Sequence, residues 1–303
     1  MFDAEMLASA IRMTTPVMLT ALGAVYTERG GVVNIGLEGM MIVGSFWGAW
    51  GALNYGPVWG ILLGVLAGFL LSLIHAVASV TFRVDQIVSG VALNLLAYGL
   101  ARFSSILLFG MATTSPHVPR LADISVPYLR DVAWLRPLVT GLSPVILIGF
   151  ALVILSHYVL GRTVFGLRLR SVGENPLAAD SLGINVLALR YTGCLMSGIL
   201  GGLAGAYLSV EHTGMYIEGM TQGKGFIALA AMIFGNWTPL GAMGASMLFG
   251  FAEALSFRVV AANLPYQFIK MIPYALTLVV LTGVVRRAVP PAADGIPYAR
   301  GGE

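Results

Sequence analysis

The sequence predicts an all-α fold: a polytopic membrane helix bundle of about 8–10 transmembrane helices, with discontinuous helices and a possible inverted repeat. Three observations carry this. Hydrophobic residues make up 57% of the chain and charged residues only 10%, with mean hydropathy +0.86. Soluble domains carry roughly a quarter charged residues, so this chain lacks the charge to cover a soluble surface. Asp, Glu, Lys and Arg are absent from 39–82, 137–161, 191–210 and 225–252, and about 20 apolar residues cross a bilayer. The 38 glycines and 5 tryptophans fit closely packed membrane helices anchored at the interface.

Taken in order, the apolar segments are 7–27, 32–53, 57–81, 86–109, 142–160, 191–210, 226–234, 240–257 and 268–285. The charge-free stretch 39–82 holds two crossings, with a turn at Asn54-Tyr55-Gly56-Pro57. The seventh segment is too short to span, and Gly-Asn-Trp-Thr-Pro (235–239) interrupts it. Irregular backbone at membrane depth must be buried in protein, because lipid cannot pair its polar groups. The single cysteine, Cys194, excludes an intrachain disulfide and a cysteine-based metal cluster. The N-terminus, MFDAEMLASAIRM, has acids where a signal peptide would be basic, and reads as uncleaved.

Lys and Arg concentrate on the cytoplasmic side of membrane proteins. The loop 161–190 carries Arg162, Arg168, Arg170 and Arg190, and Arg286-Arg287 open the tail. Both are expected in the cytoplasm, with the N-terminus outside. The loop 110–140 then lies outside despite Arg120, Arg130 and Arg136. The organisation is a transmembrane domain over 1–287 and a cytoplasmic tail over 288–303. The net charge of +3 fits positive loops and gives no reason to expect a nucleic-acid partner.

GPVWGILLGVLAGFLLSL (56–73) resembles PLGAMGASMLFGFAEALSF (239–257) in its turn followed by spaced glycines. Each follows a Gly/Met-rich segment, NIGLEGMMIVG and GKGFIALAAMIFGN, and the two pairs run in opposite directions in this topology. Gly60, Gly64 and Gly68, Gly198 with Gly202, and Gly201 with Gly205 stand four apart. That spacing stacks them on one helix face, where a second backbone can approach.

GENPLAADSLGIN (173–185) interrupts the apolar pattern with a punctuated helix. Asn175 is a good N-cap, Pro176 suits the first helical position, and Gly183 stands where a left-handed residue ends a helix. Leu177, Ser181 and Ile184 share one side, widened by Ala178 and Leu182. So short a helix is marginal alone and needs something to pack on. A helix lying on lipid usually carries Lys or Arg on its polar face. This one carries Asp180 and none, which favours a protein partner over the bilayer surface.

This stretch resembles the coupling-helix motif of ABC-importer permeases, and the likeness extends to TERGGVVNIGLEGMMIVG (27–44), FGLRLRSVGENPLAADSLGINV (165–186) and GKGFIALAAMIFGNWTPLGA (223–242). Together these are similar to permeases that import nucleosides and simple sugars, a branch shared with ribose and branched-chain amino acid systems. The likeness is greatest to the shorter permease of bacterial nucleoside uptake systems. The resemblance implies a non-enzymatic subunit of the bacterial inner membrane, with no cofactor of its own. It further implies an ATPase subunit holding ATP-Mg, a second and longer permease, and an extracytoplasmic binding protein. Gly173, Glu174, Asn175, Pro176, Leu177, Ala178, Ala179, Leu182 and Gly183 would then form the element that docks on the ATPase.

Ionisable or amide side chains at membrane depth are costly and mark candidate pathways. Asn34 and Glu38 stand four apart in the second segment, and Asn94 lies mid-segment with Gly90 and Tyr98 at helical spacing. Gln222, Phe226, Asn236 and Trp237 flank the short segment. An amide and an aromatic ring suit ribose hydroxyls and a base. For Asn34 and Glu38 the favoured reading is pairing with each other and with free backbone groups at a broken helix, and each of the others suits helix–helix bonding at least as well. His75 reads as packing, and Glu253 as a partner for Arg258 or water. GMTQGKG (219–225) resembles a phosphate loop but is one residue short, with Gly225 where Ser or Thr is needed. A simple-sugar importer, an ion-coupled secondary transporter and a membrane enzyme are the competing readings. No acidic cluster suits ion coupling.

Overall fold

The computed structural model describes residues 4–111, 113–124, 142–259 and 288–299. The expected segment 268–285, Arg286-Arg287, Arg130 and Arg136 lie outside the described residues. The elements are α1 (Ala4–Arg29), α2 (Leu37–Tyr55), α3 (Pro57–Ala76), α4 (Gln86–Phe109), α5 (Pro144–Arg162), α6 (Val164–Glu174), α7 (Pro176–Ser181), α8 (Val186–Ala206), α9 (Lys224–Phe234) and α10 (Pro239–Val259). Wider π turns extend α3 over Val77–Thr81 and α8 over Tyr207–Thr213. Among the described residues six helices, α1, α3, α4, α5, α8 and α10, are long and apolar enough to cross a membrane. The protein is a multi-pass membrane protein built as a helical bundle.

Helix starts outside the apolar layer are written locally. Asp85 accepts from Ile87 N–H at 2.9 Å and Val88 N–H at 3.0 Å to open α4. Ser143 accepts from Val145 N–H at 3.2 Å, just ahead of Pro144 in α5. Asn185 accepts from Ala188 N–H at 3.0 Å in α8. Each satisfies a first-turn donor that has no partner within the helix.

Two helices start inside the protein instead. The expected helix over 32–53 begins only at Leu37. Residues 32–36 are irregular, ending in a turn at 35–36, and enter from the end that carries α6 and α7, here the lower end. Their polar groups are paired by neighbouring helices: Val33 N–H donates to Gln86 Oε1 at 2.6 Å, His75 Nε2 to Val33 O at 3.1 Å, and Asn94 Nδ2 to Ile35 O at 3.0 Å. His75 therefore clips this segment in place as well as packing. The second interruption precedes α9. Residues 214–223 re-enter from the upper end, and Gly235–Thr238 is the tight turn from α9 into α10. The sequence pattern had placed the break at the turn. The turn resides at the lower end, bonded to Arg29 and the C-terminal segment, so it needs no burial at membrane depth.

Contacts fix the directions. Glu5 pairs with Arg258 at 3.6 Å at one end of α1 and α10, and Trp237 bonds Glu28 at the other, so these helices are antiparallel. Ser72 meets Gly198 and Gly64 meets Ala206, so α3 and α8 are antiparallel too. The order long helix, irregular segment, internal half-helix, long helix thus occurs as α1–α2–α3 and again, inverted, as α8–α9–α10. The third helix of each unit packs against the first helix of the other, α3 on α8 and α10 on α1.

At the α3–α8 crossing, a Cβ added to Gly202 would lie 2.5 Å from Gly64 O and 3.1 Å from the Cα of Gly68. The glycine ridge is helix–helix packing, the close backbone approach that small residues permit.

Candidate translocation pocket and docking helix

The two half-helices meet head to head. Glu38, in the first turn of α2, extends its carboxylate across the N-terminus of α9. Oε1 accepts from Thr221 Oγ1 at 2.6 Å and Gly223 N–H at 2.9 Å, and Oε2 accepts from Gly225 N–H at 2.7 Å. The start of α9 has no cap of its own. A carboxylate there satisfies orphan donors and complements the positive end of the helix dipole. The GMTQGKG stretch thus does cradle an anion with backbone N–H groups, but the anion is the chain's own Glu38.

α2 is capped reciprocally from outside itself. Asn34 Oδ1 accepts from Gly36 N–H at 3.0 Å and Asn94 Oδ1 from Gly39 N–H at 2.7 Å. The spacing of Asn34 and Glu38 had placed both on one helix face. Asn34 lies before the helix, fully buried, and its Nδ2 donates to Ser197 Oγ at 2.7 Å.

Beside this junction is a cavity of about 280 Å³. α2 contributes Glu38 and Ile42, α4 contributes Asn94, Leu95 and Tyr98, and Gly219, Thr221, Gln222, Gly223 and Phe226 come from the re-entrant segment and α9. It brings together four of the sequence candidates, Glu38, Asn94, Gln222 and Phe226. Gln222 is held at φ +49°, a left-handed backbone uncommon for a residue with a side chain. Tyr98 and Thr221 complete the wall. Tyr98 was marked by its spacing from Asn94, whereas Thr221 had no signal beyond its closeness to the glycines.

Asn236 and Trp237 are not part of this cavity. They form the lower turn, where Trp237 Nε1 donates to Glu28 Oε2 at 2.6 Å and Arg29 Nε donates to Trp237 O at 2.8 Å. Glu253 pairs with Lys224 at 2.6 Å, and Arg258 with Glu5 instead. A sequence pattern cannot signal these pairings, because the partners lie far apart along the chain.

At the lower end, α7 forms as its punctuation dictates. Asn175 Oδ1 accepts from Ala178 N–H at 3.0 Å. Gly183 takes φ +79°, while its N–H donates to Asp180 O at 2.8 Å and Ile184 N–H to Ala179 O at 3.0 Å. These paired bonds close the helix in a Schellman motif. Leu177 is 58% and Leu182 81% exposed, whereas Ala179 is 2% exposed. The nine expected docking residues therefore divide. Leu177, Ala178 and Leu182 form the outward surface, together with exposed Glu174. Asn175, Pro176 and Gly183 shape the helix, Ala179 seats it, and Gly173 O accepts from Ala293 N–H at 2.8 Å. The C-terminal segment 288–299 is folded against this end rather than hanging from it. There, burial pushes the Asp294 carboxyl up to about 6, against the lowering effect of its bond with Glu28 and of nearby Arg190.

A family model described as the permease component of branched-chain amino acid transport systems matches residues 6–281. The chain belongs to this permease family. The permease is 43% identical over 298 residues to the guanosine ABC transporter permease protein NupQ of Bacillus subtilis, covering 94% of this chain and 93% of that one. It is 40% identical over 315 residues to the nucleoside ABC transporter permease protein NupC of Lactococcus lactis, covering 97% and 96%. It is 30% identical over 325 residues to the putative glucose ABC transporter permease protein TsgC13 of Haloferax volcanii, covering 96% of each chain. No solved structure matches the permease.

Proposed function

We propose that this permease carries nucleosides through the membrane as one subunit of an ATP-binding-cassette importer. The observation that carries the substrate class is the near full-length similarity to guanosine and nucleoside permeases. The pocket chemistry agrees with it. Tyr98 and Phe226 offer ring faces to a base, Gln222 offers an amide to ribose hydroxyls, and Asn94 offers the hydrogen and lone pair left over from its bonds to Ile35 and Gly39. In this reading Asn34 and Glu38 hold the half-helices and act on cargo through them. Unlabelled adenosine or guanosine is expected to suppress uptake of labelled guanosine, and excess ribose or glucose to leave it unchanged. Suppression by the sugar and not by the nucleosides would establish the second reading, which the similarity to a putative glucose permease favours.

ATP-Mg belongs to a separate ATPase subunit that docks on α7 from the cytoplasm, which places α6, α7 and the C-terminal segment inside the cell and the N-terminus outside. A second, longer permease and an extracytoplasmic binding protein complete the importer. Exposed Leu177 and Leu182 beside a fixed, capped helix form a rigid apolar knob, and such buried anchors carry most of an interface's energy. Leu182→Asp is expected to reduce the ATPase co-purified with the permease by about tenfold or more, a loss of ~1.4 kcal/mol or greater. The fold tolerates the change because Leu182 touches little else. Undiminished co-purification with intact uptake would sink the docking assignment.

A further inference from the structure

Six residues are too few for α7 to hold its shape by its own hydrogen bonds. Its inward side, Ala179, is buried with Val172, Val186 and Tyr298. The first two come from the helices on either side of α7, and Tyr298 comes from the C-terminal segment, more than a hundred residues further along the chain. That segment is fastened repeatedly. Ala293 N–H donates to Gly173 O at 2.8 Å, Ala292 N–H to Glu174 Oε2 at 3.3 Å, and Arg190 Nη1 to Ile296 O at 2.8 Å. The Arg190 guanidinium also stands 6.0 Å from the centre of the Tyr298 ring.

At its other end the segment reaches the turn between α9 and α10, where Val289 N–H donates to Asn236 Oδ1 at 3.2 Å. This turn has unusual backbone, with Asn236 and Trp237 both at φ +52°. Consecutive left-handed residues with side chains persist only where the surroundings hold them. Here the holders are Glu28, Arg29 and the C-terminal segment. From the turn, α9 rises to Glu38 and the pocket wall at Phe226.

We propose that residues 288–299 are a strap tying α7 to the α9–α10 turn, with Tyr298 and Asn236 as the positioning residues at its two ends. Movement of α7 then reaches α9, and through it the pocket, by a route lying across the lower face of the bundle. The strap rests on the reading that α7 docks the ATPase. It adds that the C-terminal segment, rather than α6 and α8 alone, carries the displacement onward.

The test uses the complete importer in liposomes and reads guanosine transported per ATP hydrolysed, beside the amount of ATPase bound. Tyr298→Ala is expected to retain bound ATPase and lower the transport-to-ATP ratio roughly fivefold or more, the size of a typical coupling between sites. Tyr298→Phe, which keeps the ring, is expected to restore the ratio. Asn236→Gly keeps the left-handed backbone but removes the amide at the far end, and is expected to lower the ratio while α7 and its seat are untouched. A merely structural role would reduce the yield of complex and leave the ratio unchanged. If Tyr298→Ala fails to assemble, Asn236→Gly decides. A wild-type ratio in either assembled variant overturns the strap. Leu182→Asp in the same assay separates the two ideas. ATPase still bound to it refutes docking at α7, whereas ATPase released from it alongside wild-type ratios in the strap variants refutes only the strap.

Discussion

Glu38→Ala is expected to abolish uptake and lower the thermal midpoint of the detergent-solubilised protein by on the order of 10 °C. The carboxylate receives Thr221 and the N–H groups of Gly223 and Gly225, and is 7% exposed. Alanine leaves the N–H groups of Gly223 and Gly225 without their carboxylate acceptor at the head of α9. Each orphaned donor costs about 1–3 kcal/mol, and the helix also loses a favourable charge at its positive end. Removing a buried carboxylate recovers some desolvation, but three donors already offset that cost, so the loss dominates at about 3–5 kcal/mol. Glu38→Gln retains an acceptor oxygen on one side and turns an NH₂ toward the other donors, so it should fall midway. A Glu38→Ala protein melting with the wild type would refute the capping role.

Gly202→Val is expected to prevent accumulation of folded permease. Its new Cβ would meet Gly64 O at 2.5 Å and the Cα atoms of Gly68 and Val65 at 3.1 Å. All three are backbone atoms or bonded directly to backbone, so no rotamer change relieves the clash. α3 must move off α8 along its length, and α2 is held against the same residue, since a Cβ on Gly44 would fall 2.5 Å from Gly202 O. Overpacking of a well-packed core typically costs ~1–3 kcal/mol and sometimes more, and a three-helix contact with no side chain to yield belongs at the upper end. Gly244→Ala is the control. Nothing lies within 4 Å of its added Cβ, so the better helix former should be neutral or stabilising by up to about 1 kcal/mol. Yield and thermal midpoint in detergent report both outcomes; wild-type values for Gly202→Val would mean that α3 and α8 do not cross here.

The spans were legible because lipid imposes one strong rule on composition, and a charge-free run obeys it visibly. α7 was legible for the opposite reason. Asn175, Pro176 and Gly183 act within a few residues of one another, so its cap, start and stop stand together in the text. What escaped was long-range. Glu38 was visible as a polar residue in an apolar run, and a bonding role at a broken helix was the favoured reading, but its partners lie more than 180 residues away, so the sequence did not name them. Where the second segment breaks was hidden because the irregular path of 32–36 is held by Gln86, His75 and Asn94. Asn236 and Trp237 drew notice as polar and aromatic residues beside a short segment, yet depth in the membrane is set by topology, and the fold puts them at the lower turn. The two glycine-spaced repeats were readable as a pattern, and their reciprocal packing appears only in three dimensions.

That reciprocal packing sets an order on biosynthesis. α3 leaves the ribosome with α2 already covering Gly60 and one side of Gly64, but the cover over the rest of the ridge, Gly68 above all, belongs to α8, which ends some 130 residues later. At roughly 5–20 residues per second this is on the order of 10 s. Throughout that interval the first three helices sit in the bilayer with a bare strip of backbone and an unclosed half-helix junction, a natural landing place for an insertase or for the wrong glycine-rich helix. The chain commits to its fold only when its second unit arrives, so truncated or stalled products should be recognised by quality-control proteases as unfinished, whatever length of helix they have already inserted.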